Sequence, residues 1–166
     1  LRSGMKECGI TGAVQEQVVQ SITSFALYGF PESHAASFAL IAYASAWLKA
    51  HHPAEFMAAT MTSEMRKSER IIQLIDECKM LGLVIRPPSI NQPRAEFGVT
   101  PDDEILFGMG AVKGVGQSAI EILAGARREP DRPFANLFDL CERVDLGRIN
   151  RKVLESLVHA GALDNL

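Results

Sequence analysis

The chain has 166 residues, 47% of them hydrophobic and 22% charged, with a formal net charge of −3; such a composition describes one globular domain or two small ones and argues against disorder. Because phosphate neutralisation needs clustered Lys and Arg, the acidic balance excludes a protein that holds nucleic acid by bulk electrostatics, and any such contact is expected to be local. Three cysteines, Cys8, Cys78 and Cys141, stand far apart without CxxC spacing or paired histidines, and are read as reduced thiols of a cytoplasmic protein with no zinc site.

The opening Leu1-Arg2-Ser3-Gly4-Met5 has no apolar signal core and resembles an artificial boundary more than a natural beginning. From Gly12 to Leu27, Val14, Val18, Ile22, Phe25 and Ala26 recur at helical spacing and predict an amphipathic helix. Gly29 and Pro31 break it, and Ser33 is the expected N-cap of a second helix from His34 to His51. That helix is apolar nearly all round and is expected to lie buried. Its apolar stretch, Ala35 to Leu48, is interrupted by Ser37 and Ser45 and is too short to cross a bilayer, so no membrane partner is expected.

Pro53 opens a third helix over Ala54 to Met65, and a fourth runs from Glu69 to Leu81 with a stop at Gly82. In the third, Met57, Met61 and Met65 repeat at helical spacing and are read as core. The run Leu83 to Ile85, ended by Pro87-Pro88, is the expected domain boundary. Alternating apolar residues in Glu96 to Val99 and Glu104 to Phe107, around Pro101-Asp102-Asp103, predict a small β-hairpin. Helices are expected again at Gln117 to Arg128, Phe134 to Arg143 and Asn150 to His159. The fold class is therefore mainly α: a helical bundle over 1–88, a β-hairpin connector over 89–107 and a tandem helix-hairpin-helix module over 108–166.

The most informative stretch is Val112-Lys113-Gly114-Val115-Gly116-Gln117-Ser118-Ala119-Ile120, which resembles the helix-hairpin-helix motif. Two glycines permit a tight turn, and consecutive backbone N–H groups at the positive end of the next helix can receive a phosphate. Such binding reads the sugar-phosphate backbone rather than base edges, so it is sequence-independent and salt-sensitive. Lys113, Gly114, Val115, Gly116 and Gln117 are the candidate DNA contacts; an ordinary glycine turn between core helices is the alternative. A Walker loop is excluded because the Gly-Lys-Ser/Thr ending is missing. Leu137 to Leu163 can form a second such unit with its hairpin at Asp145 to Ile149, where Arg148, Arg151 and Lys152 are either phosphate partners or solvated surface charges.

Several longer stretches carry a family resemblance: Tyr28-Gly29-Phe30 followed by Ser33-His34-Ala35-Ala36, then Trp47 through Ala59, Asp76-Glu77-Cys78, Pro87-Pro88-Ser89-Ile90-Asn91, Phe107 through Gly116, and Leu154 to Leu166. In that order, over almost the whole chain, they resemble the fingers and the helix-hairpin-helix region of the bacterial DNA polymerase III alpha subunit, a C-family polymerase. The resemblance implies a DNA-directed polymerase that adds dNTPs with two Mg²⁺ held by palm aspartates. Those aspartates have no counterpart here, so the chain alone is expected to hold no cofactor, no catalytic residue and no activity. It also implies, through the parent chain, contact with other subunits of the replicative holoenzyme.

In the family the segment corresponding to Tyr28 through Phe38 faces the incoming nucleotide, so Ser33, His34 and Phe38 are the candidate nucleotide contacts; Ser33 acting only as a cap with His34 packed beside it is the alternative. Replicative members carry Asn-Lys where this chain has Pro31-Glu32, a form similar to the error-prone paralogue. A carboxylate there repels a triphosphate, whereas Phe56 to Leu83 resembles the replicative type, which is favoured with the paralogue left open. His51-His52 lack acidic or cysteine partners at ligand spacing, and no metal is expected there. From a different class, a helical protein-interaction module without DNA binding remains the competing function.

Overall fold

The computed structural model describes residues 1–27, 29, 31–127 and 132–166, the side chain of Leu27 excepted. The chain divides into two compact units, Leu1–Ala46 and Trp47–Leu166. Among the described residues it is mainly α-helical, with eight α-helices, one 3-10 turn and a small three-stranded sheet.

The first unit contains helix α1 (Arg2–Glu7), α2 (Gly12–Leu27) and most of α3 (Glu32–His51). Helix α1 was not anticipated from the sequence, since six residues offer too little periodicity to read. It is tied to α2 through side chains: Arg2 makes a two-point contact with Glu16 at 2.6 and 2.9 Å, and Gln15 Nε2 donates to the Arg2 carbonyl at 2.7 Å. Met5 and Gln15 are the buried described residues of this unit.

Two expectations for α3 need correction. The helix begins at Glu32, with the Ala35 N–H on the Pro31 carbonyl at 2.9 Å, so Ser33 lies inside the first turn and does not cap it. Pro31 suits that entry because its fixed φ and missing N–H cost nothing ahead of a helix. Nor is α3 buried: Phe38, Leu40, Ile41 and Tyr43 are all more than half exposed. A helix apolar on every side can hide only the stripe that faces a neighbour, and a unit this small offers no second layer. Tyr28 and Phe30 lie outside the described residues.

The second unit begins with α4 (Pro53–Glu64), with Pro53 in the first turn, and α5 (Ser68–Met80). Ala54, Met57, Ala58 and Met61 of α4 face Ile71, Leu74 and Cys78 of α5, with Phe97 and Ile105 completing the cluster. Each large side chain removed from water there contributes about 1.5–3 kcal/mol before entropy is set against it. The strands are β1 (Ile85–Arg86), β2 (Gly98–Val99) and β3 (Ile105–Leu106), in the order β1-β3-β2.

Strands β2 and β3 form the expected antiparallel hairpin, Val99 opposite Ile105, with Asp103 at φ 59° in its turn. Aspartate tolerates that left-handed conformation better than most residues. The hairpin gains a third strand at the expected boundary: β1 runs parallel to β3, Ile85 opposite Ile105, with the Ile105 N–H on the Val84 carbonyl at 2.9 Å. Arg86 also ion-pairs with Glu104 of the β2–β3 turn. The prolines at 87 and 88 end β1 without separating it from the hairpin.

Beyond the sheet come a 3-10 turn (Met109–Ala111), α6 (Gln117–Ala126), α7 (Leu137–Arg143) and α8 (Arg151–His159). They enclose a second core built on Met109, Leu123, Phe134, Leu140, Ile149 and Leu157. Helix α7 starts at Leu137 rather than Phe134, because Asn136 takes the cap, its side chain accepting from the Asp139 N–H. Phe134 is instead a buried anchor: Asn91 accepts its N–H at 2.7 Å and donates to its carbonyl at 3.2 Å. The Arg143 guanidinium lies 4.6 Å above its ring. Arg128, the expected end of α6, is outside the described residues. At the C-terminus Gly161, at φ 72°, reverses the chain after α8, and the Ala162 carbonyl takes the Ile90 N–H at 3.0 Å.

Candidate functional site

Helix α6 is entered through a bend in which the Val115 N–H donates to the Val112 carbonyl at 3.1 Å. Gly114 sits at the third position of that bend with φ 92°, where a β-carbon is disfavoured. Val115 points inward and is buried, while Lys113, Gly114, Gly116 and Gln117 are exposed. The Gly116 carbonyl accepts from Ala119 and Ile120 at 3.0 and 3.3 Å, which starts the helix. Gly116 as N-cap offers no side chain to the first amides. Among the described residues, no hydrogen bond engages the N–H of Gly114, Gly116, Gln117 or Ser118.

Helices α7 and α8 begin differently: Asn136 caps the Asp139 N–H and Asn150 caps the Val153 N–H, each at 3.0 Å. Of these three helices, only α6 lacks a side-chain cap, and it begins at a bend where the chain is exposed. Outward amides at the positive end of a helix favour an anion.

The surroundings of the bend are basic. Val112, Lys113 and Gly114 form one side of a groove, and Lys152, Ser156, His159 and Ala160 form the other. No carboxylate lines it, and neither lysine has an ion-pair partner among the described residues. Ser156 and His159 were not anticipated. Their signal was present, since Lys152, Ser156 and His159 recur at spacings of four and three on one face of α8, apart from the buried Val153 and Leu157.

The second bend, Asp145 to Ile149, is built otherwise. The Asp145 carboxylate accepts the Gly147 N–H at 3.0 Å, and its carbonyl takes the Arg148 and Ile149 N–H groups at 3.0 and 3.1 Å. The N–H groups of Asn150, Arg151 and Lys152, which correspond to those of Gly116, Gln117 and Ser118, make no hydrogen bond among the described residues, so the second bend differs in the Asp145 contacts that hold Gly147 and Arg148. Arg148 is exposed, and Arg151 pairs with Glu155 at 2.7 Å. Lys152 alone of the three expected cations joins Lys113 in the groove.

In the first unit Ser33, His34 and Phe38 share the N-terminal part of α3 and all are exposed. The His34 ring lies 4.4 Å from that of Phe38, and the Ser33 carbonyl accepts the Ser37 hydroxyl at 2.9 Å. Among the described residues no group of three or more His, Cys, Asp or Glu side chains converges where it could hold a metal ion. No described helix is long and apolar enough to cross a membrane.

Residues 82–166 match the family model described as "Helix-hairpin-helix motif". The chain is also similar to the DNA polymerase III subunit alpha of Haemophilus influenzae, 48% identical over 165 residues, which are 99% of this chain and 14% of that protein. The subunits of the same name from Pasteurella multocida and Escherichia coli K12 are 48% and 46% identical over 98% of the chain. The chain thus spans 14% of the length of these curated relatives.

Proposed function

The chain belongs to the helix-hairpin-helix motif family, and from that premise we propose that it is the part of a DNA polymerase III alpha subunit that grips duplex DNA by its backbone. Two observations carry this reading: among the described residues the N–H groups of Gly116, Gln117 and Ser118 make no hydrogen bond, and Lys113 and Lys152, which line the groove at Gly114, have no ion-pair partner. The amides take a phosphate oxygen and the two ammonium groups supply the positive charge, contacts that position the backbone and carry no base information. Such a grip tolerates any sequence, as template-directed synthesis requires of a polymerase moving along its product. Within the parent enzyme, Ser33, His34 and Phe38, exposed together on the N-terminal part of α3, contribute to the incoming-nucleotide pocket. Mg²⁺, dNTP and the other holoenzyme subunits are engaged through the parent chain in the cytoplasm, and the chain alone does not polymerise.

Fluorescence anisotropy with labelled duplexes of unrelated sequence tests the grip. Equal affinity across sequences is expected, with binding that weakens steeply as salt rises. The double variant K113A/K152A should lower the salt slope by about 2, at roughly 0.9 for each phosphate that is no longer neutralised. Binding that ignores salt, or that discriminates between sequences, would overturn the reading.

One observation favours the second reading, a helical protein-interaction module: Val14, Val18, Ile22 and Phe25 of α2 are exposed, as are the apolar residues of α3. Apolar surface on this scale marks contact with another polypeptide more often than with solvent. Absence of any DNA affinity in the same anisotropy assay would decide for it.

A further inference from the structure

Helix α3 is long for what holds it. None of its twenty residues is buried, so no covered apolar stripe fixes it as Ile71, Leu74 and Cys78 fix α5. Among the described residues, Lys49 makes the one side-chain hydrogen bond that leaves α3, its Nζ donating to Oε1 of Glu77 on α5. At the corner where α3 passes into α4, the His52 N–H meets the Leu48 carbonyl at 2.7 Å, and the Trp47 ring lies 4.6 Å from that of His51 and 5.7 Å from that of His52.

The ion pair lies within the second unit. Its side chains are 38% and 32% exposed, so salt screens it less than a pair at the open surface. Glu77 adjoins the fully buried Cys78 and therefore stands on a firmly packed helix. The neighbouring Asp76 is taken by Lys79 at 2.9 Å, which leaves Glu77 to Lys49. Ser33 stands on the same helix as Lys49, sixteen positions and about 24 Å before it. A tilt of about 5° at one end of such a rod moves the other by about 2 Å, a large error for groups that must meet a substrate.

We propose that Lys49 and Glu77 are positioning residues for nucleotide binding: their ion pair holds the end of α3 on α5 and so keeps Ser33, His34 and Phe38 where the incoming nucleotide is met. The assignment rests on the nucleotide reading above and extends it to two residues that touch no nucleotide. Without the pair, α3 spends part of its time tilted, and apparent affinity falls with the fraction that remains competent. Saturating dNTP draws the population back, so KM changes while kcat is largely kept.

The test is steady-state incorporation by the whole alpha subunit on a primed template, for the unaltered subunit, K49A, E77A, the reversed pair K49E/E77K and S33A/H34A. K49A and E77A should each raise the KM for dNTP by about two- to five-fold, the range of a part-exposed ion pair, with kcat changed less. K49E/E77K remakes the pair in the opposite sense and should return KM towards the unaltered value. A merely structural role would lower the active fraction, and kcat with it, while leaving KM in place. If K49A and E77A leave KM unchanged, or if the reversed pair restores nothing, the positioning role is wrong, and a raised KM in S33A/H34A then shows that the nucleotide reading stands. If S33A/H34A leaves KM unchanged, that reading fails and the positioning role with it.

Discussion

Gly114 lies so near α8 that a β-carbon on it would stand 2.9 Å from the Ser156 hydroxyl oxygen. The bend is thus pressed against the helix that carries Lys152 and His159, and the basic groove exists because glycine permits that approach. Replacement G114V should destabilise the chain by about 1–3 kcal/mol, from the left-handed φ together with the clash. Chemical denaturation measures it. Adding S156A should recover only the part due to the clash, because the backbone strain is independent of that hydroxyl.

Gly116 separates folding from function. Its extended backbone, φ −88° and ψ 161°, suits any N-cap residue, and the space around its β-carbon position is open. Replacement G116D should therefore leave stability unchanged or raise it by about a few tenths of a kcal/mol. Duplex binding should fall nonetheless, since the new carboxylate occupies the amides and repels a phosphate. A thermal melt alongside anisotropy checks both, and a G116D chain that binds DNA undiminished would contradict the role given to those amides.

The three thiols should react in the order of their exposure. Cys8 is exposed, Cys141 is partly covered, and Cys78 is fully buried between α4 and α5. Burial first, and then the neighbouring Glu77, pushes the Cys78 thiol up from its ordinary range. Because the thiolate is the reactive form, alkylation of Cys78 should wait for unfolding. Mass spectrometry over a time course, with and without denaturant, reads this directly.

Acid sensitivity should depend in part on Asp139. The Ala135 N–H at 3.0 Å, followed by Arg143, holds its carboxyl below the usual carboxylate range. A folded value below the unfolded one contributes stability that is present above about pH 4 and is lost as pH falls through the native value. D139N should accordingly be less stable at neutral pH and lose less on acidification. Urea midpoints across an acidic pH series would show the two curves converging.

Legibility in the sequence differed from element to element. The Lys113-to-Gln117 bend and the order of motifs were readable because glycine alone enters left-handed turns freely and proline fixes its own φ, and the resemblance they supported is matched by relatives 42–48% identical. The pairing of β1 with β3 was not: each strand has two residues, and their partners lie twenty positions apart, beyond the reach of local alternation. Exposure of α3 was hidden for a different reason, since hydrophobicity says that a surface should be covered and not by what. In the groove, the α8 stripe of Lys152, Ser156 and His159 becomes significant only with Gly114 beside it. For Arg143 the sequence offers only its i,i+4 spacing from Asp139, because its other hydrogen-bond partners are backbone carbonyls.

The carboxylate of Asp145 sets the two bends apart. Its oxygen on the Gly147 amide fixes the second bend from within, while the amides ahead of α8 stay unengaged among the described residues. Two turns of similar outline thus differ in stiffness more than in the amides they present: Asp145 braces the second from within, whereas the first depends on its glycines for its shape.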